Sequence, residues 1–162
     1  MQTIYQFFSQ FPDWLATFFL AMLPITELRG SIPFAVGYFN MPVWLAFAVS
    51  VIGDIIPGIL IVWFLRPVSL WLSRRSKIFS RFFNWWFNKV IKRFEKKYLK
   101  YGEIALLIFV SIPLPITGVW TGSVAAFLFG IPRKRAIIFI SIGAVIAGVL
   151  VSLITTGVFS FV

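Results

Sequence analysis

Three charged residues, Glu27, Arg29 and Asp54, stand inside long apolar runs of this sequence. An ionisable side chain in hydrocarbon is costly unless paired or hydrated, so each is a candidate for function. Glu27 and Asp54 can take up and release a proton, because protonation removes the charge that low polarity penalises. Arg29 can pair with Glu27, or its planar fork can hold an anion such as a phosphate. Half-helix N-termini beside it would add N–H donors for that anion. Thr26, Thr117 and Thr121 add hydroxyls and complete the candidate substrate- or proton-binding set. Each has a structural reading as well. Glu27 and Arg29 can be an ion pair that fixes a turn, and Asp54 can bond backbone groups that Pro57 leaves open.

Other chemistry is poorly served. The chain has no cysteine and no histidine, which removes thiol nucleophiles and Cys/His zinc sites. Two carboxylates are too few to argue a metal site. A nucleophile with a base and a phosphate loop are both missing from the sequence, so neither an enzyme nor a cofactor is expected.

The elements that must carry these residues are apolar. Of the 162 residues, 60% are hydrophobic and 12% charged, with a mean hydropathy of +0.95. Soluble domains are roughly 45–50% apolar and about 25% charged, so a single integral membrane domain over residues 1–162 is expected. Four apolar stretches run from about Trp14 to Met41, Val43 to Leu65, Ile104 to Ile131 and Ala136 to Val162. The second and fourth suit spanning helices, which need ~20 apolar residues. The first is interrupted by Pro24, Glu27, Arg29, Gly30 and Pro33, the third by Pro113, Pro115, Gly118 and Gly122. Gly53, Pro57 and Gly58 suggest a further break inside the second.

A piece of ~10 residues reaches ~15 Å, half the bilayer core, so each broken stretch is either a kinked spanning helix or a re-entrant hairpin. Charge separates these readings. The net charge is +10, and eleven of the fifteen Lys and Arg lie from Arg66 to Lys100. Three more form Arg133-Lys134-Arg135. Hairpins at 14–41 and 103–131 put both clusters on the cytoplasmic side of a cell membrane, as the positive-inside rule prefers, with both termini outside. This clustering also argues against nucleic acid as the partner. No Lys or Arg precedes Arg29, so a cleavable signal peptide is not expected.

The chain repeats itself. Pro24-Ile25-Thr26 recurs as Pro115-Ile116-Thr117, and Pro42, Gly53 and Gly58 recur as Pro132, Gly143 and Gly148. Each half reads as a broken hairpin followed by one spanning helix, entered from opposite sides. Such an inverted repeat is a common transporter plan, with discontinuous helices forming a site near the midplane. Between the halves, residues 66–102 place Phe79, Phe83, Trp86, Val90, Phe94, Tyr98 and Tyr101 at helical spacing, with cations mostly off that stripe. This predicts a basic amphipathic helix on the inner leaflet, in contact with anionic lipid. Hairpins need burial on both flanks, so a homo-oligomer, a dimer first, is expected.

PITELRGSIP, followed by PLPITGVWTGSVAA, resembles the signature pair of the small multi-drug export protein family over nearly the whole chain. More distantly the chain resembles the DedA and VTT group, which implies two opposed re-entrant hairpins and traffic of lipid or lipid-phosphate. By that resemblance Glu27 matches an acidic position of the first hairpin, and Asp54 is a candidate second one. The group's arginines near the second hairpin have no counterpart at Gly118-Val119-Trp120. The leading expectation is therefore a lipid or lipid-phosphate translocase, flippase or scramblase, with proton coupling as an option. The alternatives are a proton-coupled exporter of lipophilic drugs and a non-transporting membrane organiser.

The absence of native cysteine makes topology directly testable. Arg135→Cys is expected to react with an impermeant thiol reagent only from the cytoplasmic side. Labelling from outside would mean that 104–131 crosses the membrane.

Overall fold

The computed structural model describes residues 11–114 and 117–159. Among these the chain is all helical, with seven helices and no strand. They are α1 (Asp13–Met22), α2 (Glu27–Gly37), α3 (Val43–Arg75), α4 (Lys77–Tyr101), α5 (Ile104–Ser111), α6 (Val119–Leu128) and α7 (Arg133–Phe159). The order short helix, break, short helix, long helix occurs twice, in α1–α3 and again in α5–α7. Pro115 lies outside the described residues.

Packing divides the chain into two compact units. Unit 1 takes residues up to Ile56 and Ala144–Val162, and unit 2 takes Pro57–Gly143. Both long helices contribute residues to each.

In unit 1, α1 and α2 double back on one another. The Thr17 hydroxyl near the start of α1 donates to Met41 Sδ, beyond the end of α2, at 3.4 Å. In unit 2 the ends of the 104–131 stretch also meet. Glu103, just before α5, is 3.0 Å from the guanidinium of Arg135 in the first turn of α7.

A helix that stops in apolar surroundings strands its last carbonyls, and these need donors. The repeated Thr supplies one at each break. The Thr26 hydroxyl donates to the Leu20 carbonyl. The Thr117 hydroxyl donates to the Ile112 and Leu114 carbonyls at 2.9 and 2.8 Å. The breaks themselves are Leu23–Thr26, containing Pro24, and the stretch between Ser111 and Val119, whose described residues include Pro113 and Gly118.

Several residues expected at breaks lie inside helices. Gly30 and Pro33 belong to α2, and Gly122 to α6. Gly53, Pro57 and Gly58 do not interrupt α3, which runs unbroken for 33 residues and also contains Pro67. Their use is close approach. A Cβ on Gly53 would lie 2.7 Å from the Phe18 carbonyl oxygen of α1 and 3.1 Å from Ala21. A Cβ on Gly58 would lie 2.3 Å from Val119 of α6. At each of these two glycines α3 thus seats a half-helix against a side-chain-free face, as small residues do in membrane packing.

The α4 stripe is partly interior. Phe83, Val90 and Phe94 are buried. Phe94 meets Phe109 and Phe129 edge-on at 5.4 and 5.0 Å, and Phe87 meets Phe127 at 6.0 Å. These aromatics are the core of unit 2. On the outer side Ile78, Phe79, Phe82 and Trp85 stay exposed, with Lys89 over the Trp85 ring at 4.8 Å.

Two helices, Val43–Arg75 and Arg133–Val158, are long and apolar enough to cross a membrane. Most of each apolar window faces outward, including Leu60, Trp63 and Phe64 on α3 and Ile138, Leu153 and Ile154 on α7. Outward apolar faces of this length suit lipid rather than water.

Gly53→Ala reverses the usual sign of a helical Gly→Ala change, which normally gains about 1 kcal/mol. The Phe18 carbonyl cannot yield as a side-chain tip would, so a loss of about 1–3 kcal/mol is expected, read as a lower Tm in detergent. Gly157→Ala, with nothing within 4 Å, is the control and should not lower Tm.

Candidate functional site

The charged residues singled out in the sequence come together within unit 1. Glu27 opens α2 directly after the break, Arg29 lies in the first turn, and Asp54 sits midway along the apolar part of α3. Glu27 is 7% exposed and Asp54 is 1% exposed. Glu27 Oε2 and Arg29 Nη1 are 3.8 Å apart, and the fields of both residues reach Asp54. The Leu28 backbone N–H, one of the orphan donors at the start of α2, serves the Asp54 carboxylate. Its Oδ1 is fully buried and has no hydrogen-bond partner among the described residues.

One turn further along both helices, the Ser31 hydroxyl donates to the Ser50 hydroxyl at 2.8 Å, and both residues are 0% exposed. Ser31 follows Glu27 by four residues and Ser50 precedes Asp54 by four. Helical neighbours four apart share a face, so α2 and α3 run antiparallel along a polar seam. This seam was missing from the sequence reading. Its signal is the matched spacing of a small hydroxyl from each carboxylate, visible only once the two helices are paired.

Glu27 also adopts φ of +47°, the left-handed region that glycine enters freely and a glutamate does not. The chain reverses here from the break into α2, with the Glu27 N–H donating to the Leu23 carbonyl at 2.9 Å. Such a residue costs on the order of 1–3 kcal/mol and persists where its surroundings demand it. A glycine would make this turn more cheaply, so the carboxylate is what the position keeps.

The threonines separate from this cluster. Thr26 adjoins Glu27 but its hydroxyl proton is directed to the Leu20 carbonyl. Thr117 and Thr121 belong to unit 2. Thr117 caps the second break, and Thr121 lies within α6 with its hydroxyl 3.4 Å from the Gly118 carbonyl. All three hydroxyls therefore have a backbone acceptor close by.

Chemically, the cluster presents two buried carboxylates, one guanidinium and one backbone donor. With both acids ionised, these described side chains sum to one negative charge. Such a place suits a proton or an organic cation better than an anion. Among the described residues no group of three or more His, Cys, Asp or Glu is assembled for a metal.

No curated protein and no solved structure matches the chain. The sequence pattern of small multi-drug export proteins matches residues 27–150, which take in Glu27, Arg29, Asp54 and the second break. That match spans well over half of the 162 residues, and the chain belongs to the small multi-drug export protein family.

Proposed function

We propose that this protein exports lipophilic small molecules, cationic ones foremost, in exchange for protons at Glu27 and Asp54. The observation that carries the reading is the pair of buried carboxylates served by one guanidinium, with Asp54 Oδ1 lacking a hydrogen-bond partner among the described residues. An unbalanced carboxylate away from water is costly, and either a proton or a bound cation relieves that cost. Proton and drug then compete for one charge, which is the basis of exchange. Glu27, held against Arg29, orients the pair, and Asp54 is the member that loads and unloads. No covalent chemistry is involved.

The same charge balance demotes the lipid-phosphate translocase that heads the sequence expectations. A phosphate approaching Arg29 would meet two carboxylates already drawing on that guanidinium. The family's export description points the same way.

The transport plan we infer is an inverted repeat of two re-entrant hairpins, each followed by a spanning helix. The twofold order of elements supports it, as does the ion pair that joins the two ends of the 104–131 stretch. Arg133 also stacks over Trp63 at 5.0 Å, which puts the start of α7 level with the basic end of α3. Residues 66–102 and 133–135 would then share the cytoplasmic side. The exposed Ile78, Phe82 and Trp85 stripe with its cations suits anionic lipid of the inner leaflet. We place the protein in the cell membrane as a homodimer, in which a second copy covers hairpin flanks.

The test is uptake of a fluorescent lipophilic cation into proteoliposomes, driven by an imposed pH gradient. Wild type should concentrate the dye. Asp54→Asn should slow uptake about tenfold or more, the factor ~1.4 kcal/mol commands, and Glu27→Gln should slow it similarly. Gradient-driven uptake that survives in the double variant would remove these residues from the pathway. Flipping of a headgroup-labelled phospholipid without dye uptake would restore the translocase.

A further inference from the structure

A cavity of about 470 Å³ in unit 2 plays no part in the acidic cluster. It is lined by Val62 and Arg66 of α3, Ala126 and Phe127 of α6, the turn at Gly130–Pro132, and Arg133 of α7. Two arginines thus border one cavity whose remaining side-chain walls are apolar. Neither Arg66 nor Arg133 has a carboxylate partner among the described residues, while Arg135 next in line is paired with Glu103. Like charges gathered at one cavity repel unless something negative lies between them. The Arg133 guanidinium lies over the Trp63 ring at 5.0 Å, a contact that favours one orientation of its fork.

The surroundings say what kind of anion fits. Arg66 follows the apolar run of α3, and Arg133 opens α7 just before its own. Both therefore stand at the level where hydrocarbon gives way to polar headgroups. Beside them Leu60, Phe64 and Ile138 are about half exposed and apolar. A ligand with a phosphate at one end and acyl chain at the other meets guanidinium and apolar wall together. A free phosphate would use only the first, and 470 Å³ is within the range of pockets that hold whole small ligands.

We propose that this cavity is a resident site for the phosphate headgroup of an anionic phospholipid, clamped by Arg66 and Arg133 with the acyl chains along α3 and α7. The bound lipid is a structural partner, not cargo, and the proposal does not rest on the export reading.

Thermal melting of the purified full chain in nanodiscs tests it, with phosphatidylglycerol titrated into phosphatidylcholine. Wild type should show a saturable rise in Tm. Arg66→Gln with Arg133→Gln should need about tenfold or more lipid for the same rise, as loss of charge-assisted bonds implies. Arg81→Gln with Lys92→Gln removes the same charge from the lipid-facing helix α4 and should shift the half-saturation point less than about twofold, because a diffuse charged surface contributes no saturable site. Equal weakening in that control pair would show a diffuse charge effect and overturn the site. A full Tm rise from millimolar inorganic phosphate in phosphatidylcholine alone would overturn the lipid assignment. The Tm of each variant in pure phosphatidylcholine, expected to match wild type, shows that the fold is intact.

Discussion

Backbone groups that lose their helical partners away from water must be satisfied from within the chain, and that constraint organises this molecule. Two helices stop short, after Met22 and after Ser111. At each stop a threonine of the repeated Pro-Ile-Thr turns its hydroxyl back onto the carbonyls just released. The N–H groups freed on the far side of the first break have a different fate. One of them, from Leu28, is spent on the carboxylate of Asp54. The break thus creates the acidic site as well as the turn, because only an interrupted helix has an N–H to give at that depth.

Packing follows from the same interruption. A half-helix too short to stand alone must be held along its length, and residues without side chains allow the closest hold. Gly53 faces the Phe18 carbonyl and Gly58 faces Val119, one in each unit. Gly143 likewise brings α7 against Val110 and the Leu107 carbonyl of α5. These glycines cost helix propensity in the long helices, and the cost is tolerated because long helices in an apolar setting keep their other hydrogen bonds regardless.

Much of this was legible in the sequence, and the failures have physical causes. Pro24 and Pro113 mark the two breaks because proline lacks the N–H that a continuing helix needs. Pro33, Pro57 and Pro67 give the same signal yet sit inside helices, since a proline decides only one hydrogen bond and neighbours can absorb the loss. Gly53 and Gly58 read as a bend in the sequence, and only the partner helices show that they are contact surfaces instead. The aromatic stripe of α4 declared an apolar face by its spacing. What that face meets, Phe109, Phe127 and Phe129, was not visible, because periodicity reports that a face is covered and never by what. The seam of Ser31 and Ser50 was hidden for the same reason, each being one small polar residue until its mate is known.

The charge count of the site carries the deepest consequence. Had unit 1 needed only a rivet between α2 and α3, Glu27 with Arg29 would have sufficed, a neutral pair with a donor nearby. Asp54 adds a charge that has a backbone donor on one side, a carboxylate neighbour on another, and an oxygen with no partner among the described residues. A buried carboxylate in excess of the nearby cation is costly, so stability alone gives no reason for its presence. The strained backbone at Glu27 points the same way, since the turn would be cheaper without a side chain. Two departures from the most stable arrangement meet at one place, a buried cluster whose described side chains sum to one negative charge when both acids are ionised.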